Sequence, residues 1–220
     1  LSNPIGRWAA IGQYYAMFPL EFPFKVIDKY SKPGDLVIDP FSGRASSIYA
    51  AATHGRYGLG IEINPLGWVY AQCKLKPASL KSVEKRLLEV HKQASDYQSQ
   101  AHNMSEFYHF CFSNNVLTFL ISARENLNWK TNKTDRTLMG FLLIYLHGKY
   151  GQALSNQMRH AKSMSESYST NWWKQKNMLP PEISPYDFMI QRIRWRYDKG
   201  MPEITYSDVK LGDSTVILKK

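Results

Sequence analysis

The chain has 220 residues, 44% of them hydrophobic, with a formal net charge of +10 and a pI near 9.5. That length supports one core, or one core carrying an inserted subdomain. No apolar stretch approaches the ~20 residues needed to span a bilayer, and LSNPIGRW lacks the order of a signal peptide, so a soluble, cytoplasmic chain without a membrane partner is expected.

In chain order, Pro23 suits a first helical turn, Phe24, Ile27 and Tyr30 follow at helical spacing, and Lys32-Pro33-Gly34 stops that helix. Asp35 to Ile38 is an apolar run expected to form a strand covered on both faces, ending at Asp39. A Pro-Phe pair and a Ser-Gly turn lead into an alanine-rich helix from Ser46 to Thr53, closed by His54-Gly55-Arg56. Tyr57 to Ile61 reads as a second strand ending at Glu62, which completes one βαβ unit of a parallel sheet.

Helical patterns continue from Pro65 to Lys76 and from Leu80 to about Gln100. FYHFCFSNNVLTFLISAREN and DRTLMGFLLIYLHGKYG read as two further helices, the apolar run Leu138 to Leu146 being assigned to the centre of a helical insertion. LSNQMRHAKSMSESYSTNWWKQKNMLPPEISP reads as loops or short helices. Tyr186 to Tyr197 reads as a helix with Arg192, Arg194 and Arg196 exposed, and ITYSDVKLGDS as a strand ending at Gly212-Asp213. The expected divisions are residues 1–100, 101–200 and 201–220. Cys73 and Cys111 make no CxxC pair and are read as half-buried thiols. No histidine stands in a metal-ligand pattern, and no metal is assigned.

VIDPFSGRASSIYA carries the chemistry. A carboxylate at a strand tip, a glycine turn opening a helix and a second acid at the next strand end form a nucleoside-binding arrangement. The second acid, Glu62, is placed to accept from both ribose hydroxyls. NAD, FAD and S-adenosylmethionine are all compatible, although the turn lacks GxGxxG, which weakens the dinucleotides. A sulfonium ligand has no pyrophosphate and tolerates side chains such as Ser42 and Arg44.

FPLEF, DPFSGRASS, GIEINP and GDS together resemble the motifs of the DNA amino-methyltransferases, which methylate the exocyclic nitrogen of adenine or cytosine. The resemblance covers about residues 14 to 70. It implies an α/β fold with a Rossmann-like class I methyltransferase core and a mostly helical, basic insertion. It implies S-adenosylmethionine as cofactor, held by Phe18, Pro19, Asp39, Pro40, Phe41, Gly43, Glu62, Ile63, Asp213 and Ser214. The family's second motif glycine is Ala45 here, a mild change at negative φ, and its threonine is Ser46. The family's catalytic tetrapeptide, a polar residue then Pro-Pro and an aromatic, is missing: the only Pro-Pro is Leu179-Pro180-Pro181-Glu182, read as a loop rigidifier. No catalytic residue is therefore assigned. The chain is expected to be the cofactor-binding part of an enzyme completed by a further segment or second chain.

Between Arg124 and Lys199 basic residues outnumber acids, so the insertion is expected to contact the phosphates of a polyanionic partner, which the family resemblance implies is double-stranded DNA. Asn156, Gln157, Arg159, Lys162, Lys174 and Lys176 are the candidate contacts. Trp172 and Trp173 are read as core rather than stacking surfaces. A non-catalytic cofactor- and DNA-binding subunit and an RNA methyltransferase are the other functions considered. A restriction link and the choice between adenine and cytosine are left open.

Overall fold

The computed structural model describes residues 3–12, 19, 21–158 and 165–219. Its elements run α1 (Pro4–Ala9), α2 (Glu21–Tyr30), β1 (Leu36–Asp39), α3 (Ser46–Thr53), β2 (Tyr57–Glu62), α4 (Pro65–Leu75), α5 (Leu80–Lys92), α6 (Gln98–His102), α7 (Glu106–Cys111), α8 (Asn114–Asn126), α9 (Lys133–Tyr145), α10 (Glu166–Gln175), α11 (Pro185–Tyr197), β3 (Ser207–Leu211) and α12 (Ser214–Ile217). They form two compact units. The first holds Leu1–Ser79, Trp129–Gly140 and Arg194–Lys220, and the second Leu80–Asn128 and Phe141–Ile193. These bounds differ from the sequence divisions. Residues 80–100 belong with the helical unit, while 129–140 and 194–200 belong with the sheet.

The first unit is built on a three-stranded parallel sheet in the order β1-β2-β3. Asp39 pairs with Gly60 and Glu62 with Leu211, so the strands end in step and bring their following loops together. Alanines on α3 permit close approach: Ala50 and Ala51 pack with Ile27 of α2, and Phe24 and Val37 close this cluster. Burying the Ile27 side chain contributes about 1.5–3 kcal/mol. Pro23 lies in the first turn of α2 as expected, but Tyr30 at its end is exposed.

The expectation of a β1 covered on both faces is wrong. Val37 is half-buried, whereas Leu36 and Ile38, on the opposite face, are 60% and 50% exposed. β3 is finished differently. The Val209 carbonyl accepts from Trp68 Nε1 at 2.7 Å and Gln72 Nε2 at 2.8 Å, so α4 side chains satisfy this edge strand.

The sequence reading passed over α1. Asn3 caps it by accepting from the Gly6 N–H, Pro4 follows at a position where no amide is needed, and Trp8 is fully buried with its Nε1 donating to Gly200 O. Arg196 also departs from expectation. It is buried and donates to Arg7 O, and Arg192 is half-buried with its guanidinium over the Phe188 ring, so only Arg194 of the three is exposed. Both cysteines are wholly buried, and burial pushes each thiol up to about 12.

The second unit is helical. Val83, Leu87 and Val90 form the buried stripe of α5, and Ser122 of α8 donates to Val90 O at 2.8 Å. The segment read as one helix from Phe107 to Asn126 is two, α7 and α8, separated at Phe112-Ser113. The apolar run in α9 does not belong to the insertion alone: Leu138 falls in the first unit and Phe141 and Leu142 in the second. Among the described residues no helix is long and apolar enough to cross a membrane.

Candidate functional site

The residues singled out at the strand ends converge in the first unit. Asp39 ends β1. One carboxylate oxygen accepts the Phe41 N–H at 3.0 Å and the other accepts the Ser47 hydroxyl. These bonds fold the chain back after Pro40, which is half-buried, and leave Phe41 81% exposed. The turn is then fastened to the neighbouring strand: Ser42 N–H and Oγ both donate to Ile61 O, at 3.0 and 3.1 Å.

Gly43 has φ +52, and a side chain there would meet nothing within 4 Å, so the outer side of the turn is open to a ligand. Ala45 has φ 60 and ψ 45 and is fully buried, so the alanine is not the mild replacement expected at negative φ. The left-handed region costs a residue with a Cβ about 1–2 kcal/mol.

Ser42 and Arg44, side chains that the turn was expected to tolerate beside a sulfonium ligand, turn inward. Arg44 donates to Ile11 O at 3.2 Å, to Gly12 O at 2.7 Å and to Ser46 Oγ. Its own carbonyl accepts from Lys74 Nζ at 2.7 Å. Lys74 is wholly buried, and desolvation, with Arg44 nearby, holds its amine well below the ordinary 10.5. These residues and Gly67 set the turn's position. A Cβ on Gly67 would lie 3.0 Å from both Gly43 O and Glu62 Cγ, so only glycine lets α4 start this close to both. Neither Lys74 nor Gly67 is singled out by the sequence, because nothing in a motif reveals which helix will lie beneath a turn.

Glu62 ends β2 and accepts the Asn64 N–H at 2.7 Å. Ile63 follows, 69% exposed. Gly212 N–H donates to Glu62 O at 2.9 Å, which draws the end of β3 alongside. Asp213 caps α12, accepting from Thr215 N and Oγ1 at 2.8 and 2.7 Å, and these bonds hold its carboxyl below the usual 3.8. Ser214 is buried beneath it. Pro19 is exposed, and Phe18 lies outside the described residues.

The candidate nucleic-acid residues fare differently. Asn156 is fully buried, its Nδ2 donating to Phe110 O at 2.9 Å and its Oδ1 accepting from Gln157 N, so it holds the loop together and presents nothing to a base. Gln157 is half-buried and bonded to Tyr150 N and Met158 O. Lys174 pairs with Glu106 at 2.6 Å, and Lys176 is exposed. Arg159 and Lys162 lie outside the described residues. Trp173 is core, with its Nε1 donating to Gln157 O, and Trp172 is half-buried. Among the described residues no group of His, Cys, Asp or Glu is arranged to hold a metal ion.

With this geometry in view, the comparisons with known proteins fall on the same stretch. Residues 3–66 match the profile of the N6/N4 methyltransferase family described as DNA methylase. A type II methyltransferase of Methanothermobacter thermautotrophicus, M.MthZI, is 41% identical over 49 residues, which cover 22% of this chain and 14% of that protein. The chain thus spans a small fraction of the curated relative's length. No solved structure matches. The resemblance to the N6/N4 DNA methyltransferases therefore rests on the segment containing Asp39, Pro40, Phe41, Gly43, Glu62 and Ile63. Asp213 and Ser214 lie beyond it.

Proposed function

We propose that this chain is the S-adenosylmethionine-binding part of a DNA methyltransferase that modifies the exocyclic amino group of adenine or cytosine. The observation that carries this reading is the open turn after Asp39, fastened to β2 through Ser42 and Ile61, with Glu62 ending the adjacent strand. Both acids fall inside the stretch that resembles the family. The parallel β1-α3-β2 unit with α4 is read as part of a Rossmann-like class I core.

The fit to the cofactor is one of residue chemistry. Asp39 offers a carboxylate to the ammonium of an amino-acid end, and Glu62 one to a pair of ribose hydroxyls. Phe41 and Ile63 are large apolar side chains standing in water beside those acids, surface that a nucleoside would cover. Pro19, Gly43, Asp213 and Ser214 complete the proposed lining, with Phe18 assigned by resemblance alone. When bound, S-adenosylmethionine supplies an electrophilic methyl group on a sulfonium. The chain's own residues orient it and shield it from water. Positioning of the target amino group falls to a further segment or second chain, because no polar residue, Pro-Pro and aromatic stand together in these 220 residues.

Calorimetric titration with S-adenosylmethionine tests the reading. Saturable binding that is lost in Asp39→Ala and Glu62→Ala variants of unchanged thermal midpoint is the expected result. Equal affinity in wild type and both folded variants would remove it.

A further inference from the structure

We propose that a basic cleft in the first unit, bounded by Lys76, Lys133 and Arg136, binds phosphate groups and holds the sugar–phosphate backbone of a nucleic acid. The cleft encloses about 460 Å³ and is lined by Leu75 at the end of α4, by Pro77 just after it, and by Met201, Pro202 and Ile204 ahead of β3. None of its lining residues is among those assigned to the cofactor. The inference rests on the nucleic-acid half of the proposed function and not on the cofactor half.

The charges at this cleft are only partly answered. Lys133 is exposed, and its ammonium has no partner among the described residues. Arg136 spends Nε and Nη2 on Trp129 O at 2.9 Å and Lys130 O at 2.6 Å, and Nη1 has no protein partner among the described residues. Lys76 shares Asp208 Oδ1 at 2.8 Å, and the region also holds Glu203, beside the lining residues Pro202 and Ile204, and the buried Asp135, which precedes Arg136. Lys130, whose carbonyl accepts from Arg136 Nη2, is an exposed cation beside the lining residues, its Nζ 5.4 Å from the Trp129 ring. Lys74 also lines the cleft, but its amine is buried on Arg44 O and adds nothing to a ligand.

The cations are also held in place. The Arg136 guanidinium lies 4.5 Å from the centre of the Trp68 ring, and Trp68 meets Trp129 at 6.2 Å. A stacked guanidinium with two carbonyls on it has little side-chain entropy left to lose on binding a phosphate. Lys76 Nζ stands 4.9 Å from the Tyr206 ring, which is 71% exposed and offers a stacking surface beside the charges. Cations beside one exposed aromatic, Tyr206, suit a nucleic acid better than a bare anion. The cleft adjoins Asp208, near the start of β3, whereas the cofactor residues stand at the strand ends, about 10 Å further along by strand rise. Contacts here position a nucleic acid without reading its bases.

The test compares wild type with a Lys130→Ala/Lys133→Ala variant, using a labelled duplex at several salt concentrations and, separately, inorganic tripolyphosphate. Both lysines are exposed, so the thermal midpoint and the S-adenosylmethionine affinity are expected to be unchanged. The slope of log affinity against log salt should become shallower by about two for the duplex, and affinity should fall at least roughly tenfold. A Lys174→Ala/Lys176→Ala variant should change the slope less. Duplex binding with an unchanged slope in the cleft variant overturns the site while leaving the DNA reading intact. Tripolyphosphate binding lost in the variant, with duplex binding unaffected, makes the ligand a small phosphorylated molecule and overturns the nucleic-acid assignment. Failure of wild type to bind either probe overturns the cleft outright, and the cofactor titration then judges the remaining half of the proposed function by itself.

Discussion

Lys74 Nζ donates to the carbonyl oxygen of Arg44 at 2.7 Å, joining the middle of α4 to the turn that follows Asp39. Neither side chain has a carboxylate partner among the described residues. The turn is therefore held by a buried amine whose charge would be costly, next to a guanidinium that repels it.

This buried amine predicts a pH dependence. Between the depressed value of folded Lys74 and the ordinary 10.5, the unfolded chain binds a proton that the folded chain does not, so stability rises with pH across that window. In Lys74→Met this contribution disappears. The difference in unfolding free energy between wild type and variant should grow with pH within that window, by up to about 1.4 kcal/mol per pH unit. Urea unfolding at several pH values measures it. Loss of the bond to Arg44 O adds a constant offset and leaves the slope alone. A flat difference would mean that Lys74 is charged in the fold.

Ala45→Gly should stabilise the chain. The residue sits at φ 60, where glycine suffers no clash, and the gain is partly offset by the greater freedom of glycine in the unfolded state. A net gain of about 0.5–1 kcal/mol, read from the urea midpoint, is expected. Destabilisation would mean that the buried methyl group contributes more packing than the backbone loses.

Gly67→Ala should act on the ligand more than on the fold. The added Cβ comes within 3.0 Å of Gly43 O and Glu62 Cγ, so the turn or the acid must yield by a few tenths of an ångström. The helix propensity of alanine offsets part of that cost to stability, by about 1 kcal/mol. Affinity for S-adenosylmethionine should fall about tenfold, near 1.4 kcal/mol, with little change in the urea midpoint. Unaltered affinity would separate Gly67 from the site.

Leu36 and Ile38 offer a control on the sheet. Parallel sheets are ordinarily covered on both faces, yet these two side chains stand largely in water. Leu36→Lys with Ile38→Thr should change the stability of the isolated chain by less than about 0.5 kcal/mol and reduce self-association in sedimentation. A large loss of stability would show that this face is packed in solution.

Much of the site was legible because its signals are local. Asp39, Ser46 to Thr53 and Glu62 lie where their residue types demand: an apolar run ends at an acid, glycine makes the turn, and alanines propagate a helix. The start of α1 is equally local, since Asn3-Pro4 is an N-cap followed by a first-turn proline. Arg196 and Asn156 were misjudged for another reason. A polar side chain looks exposed in a sequence until the carbonyls that will satisfy it, Arg7 O and Phe110 O, are brought to it from far along the chain.

By itself, then, the sequence determined the βαβ order, the two acids at the strand ends and the stretch that resembles the methyltransferases. Periodicity, capping and turn chemistry act over a few residues and leave their mark in composition. Only the tertiary structure decided that Ala45 is left-handed, that Lys74 and Gly67 locate the turn, that β1 keeps a bare apolar face, and that Lys76, Lys133 and Arg136 share one cleft. Each of these depends on which distant backbone lies alongside, and local propensity carries no record of it.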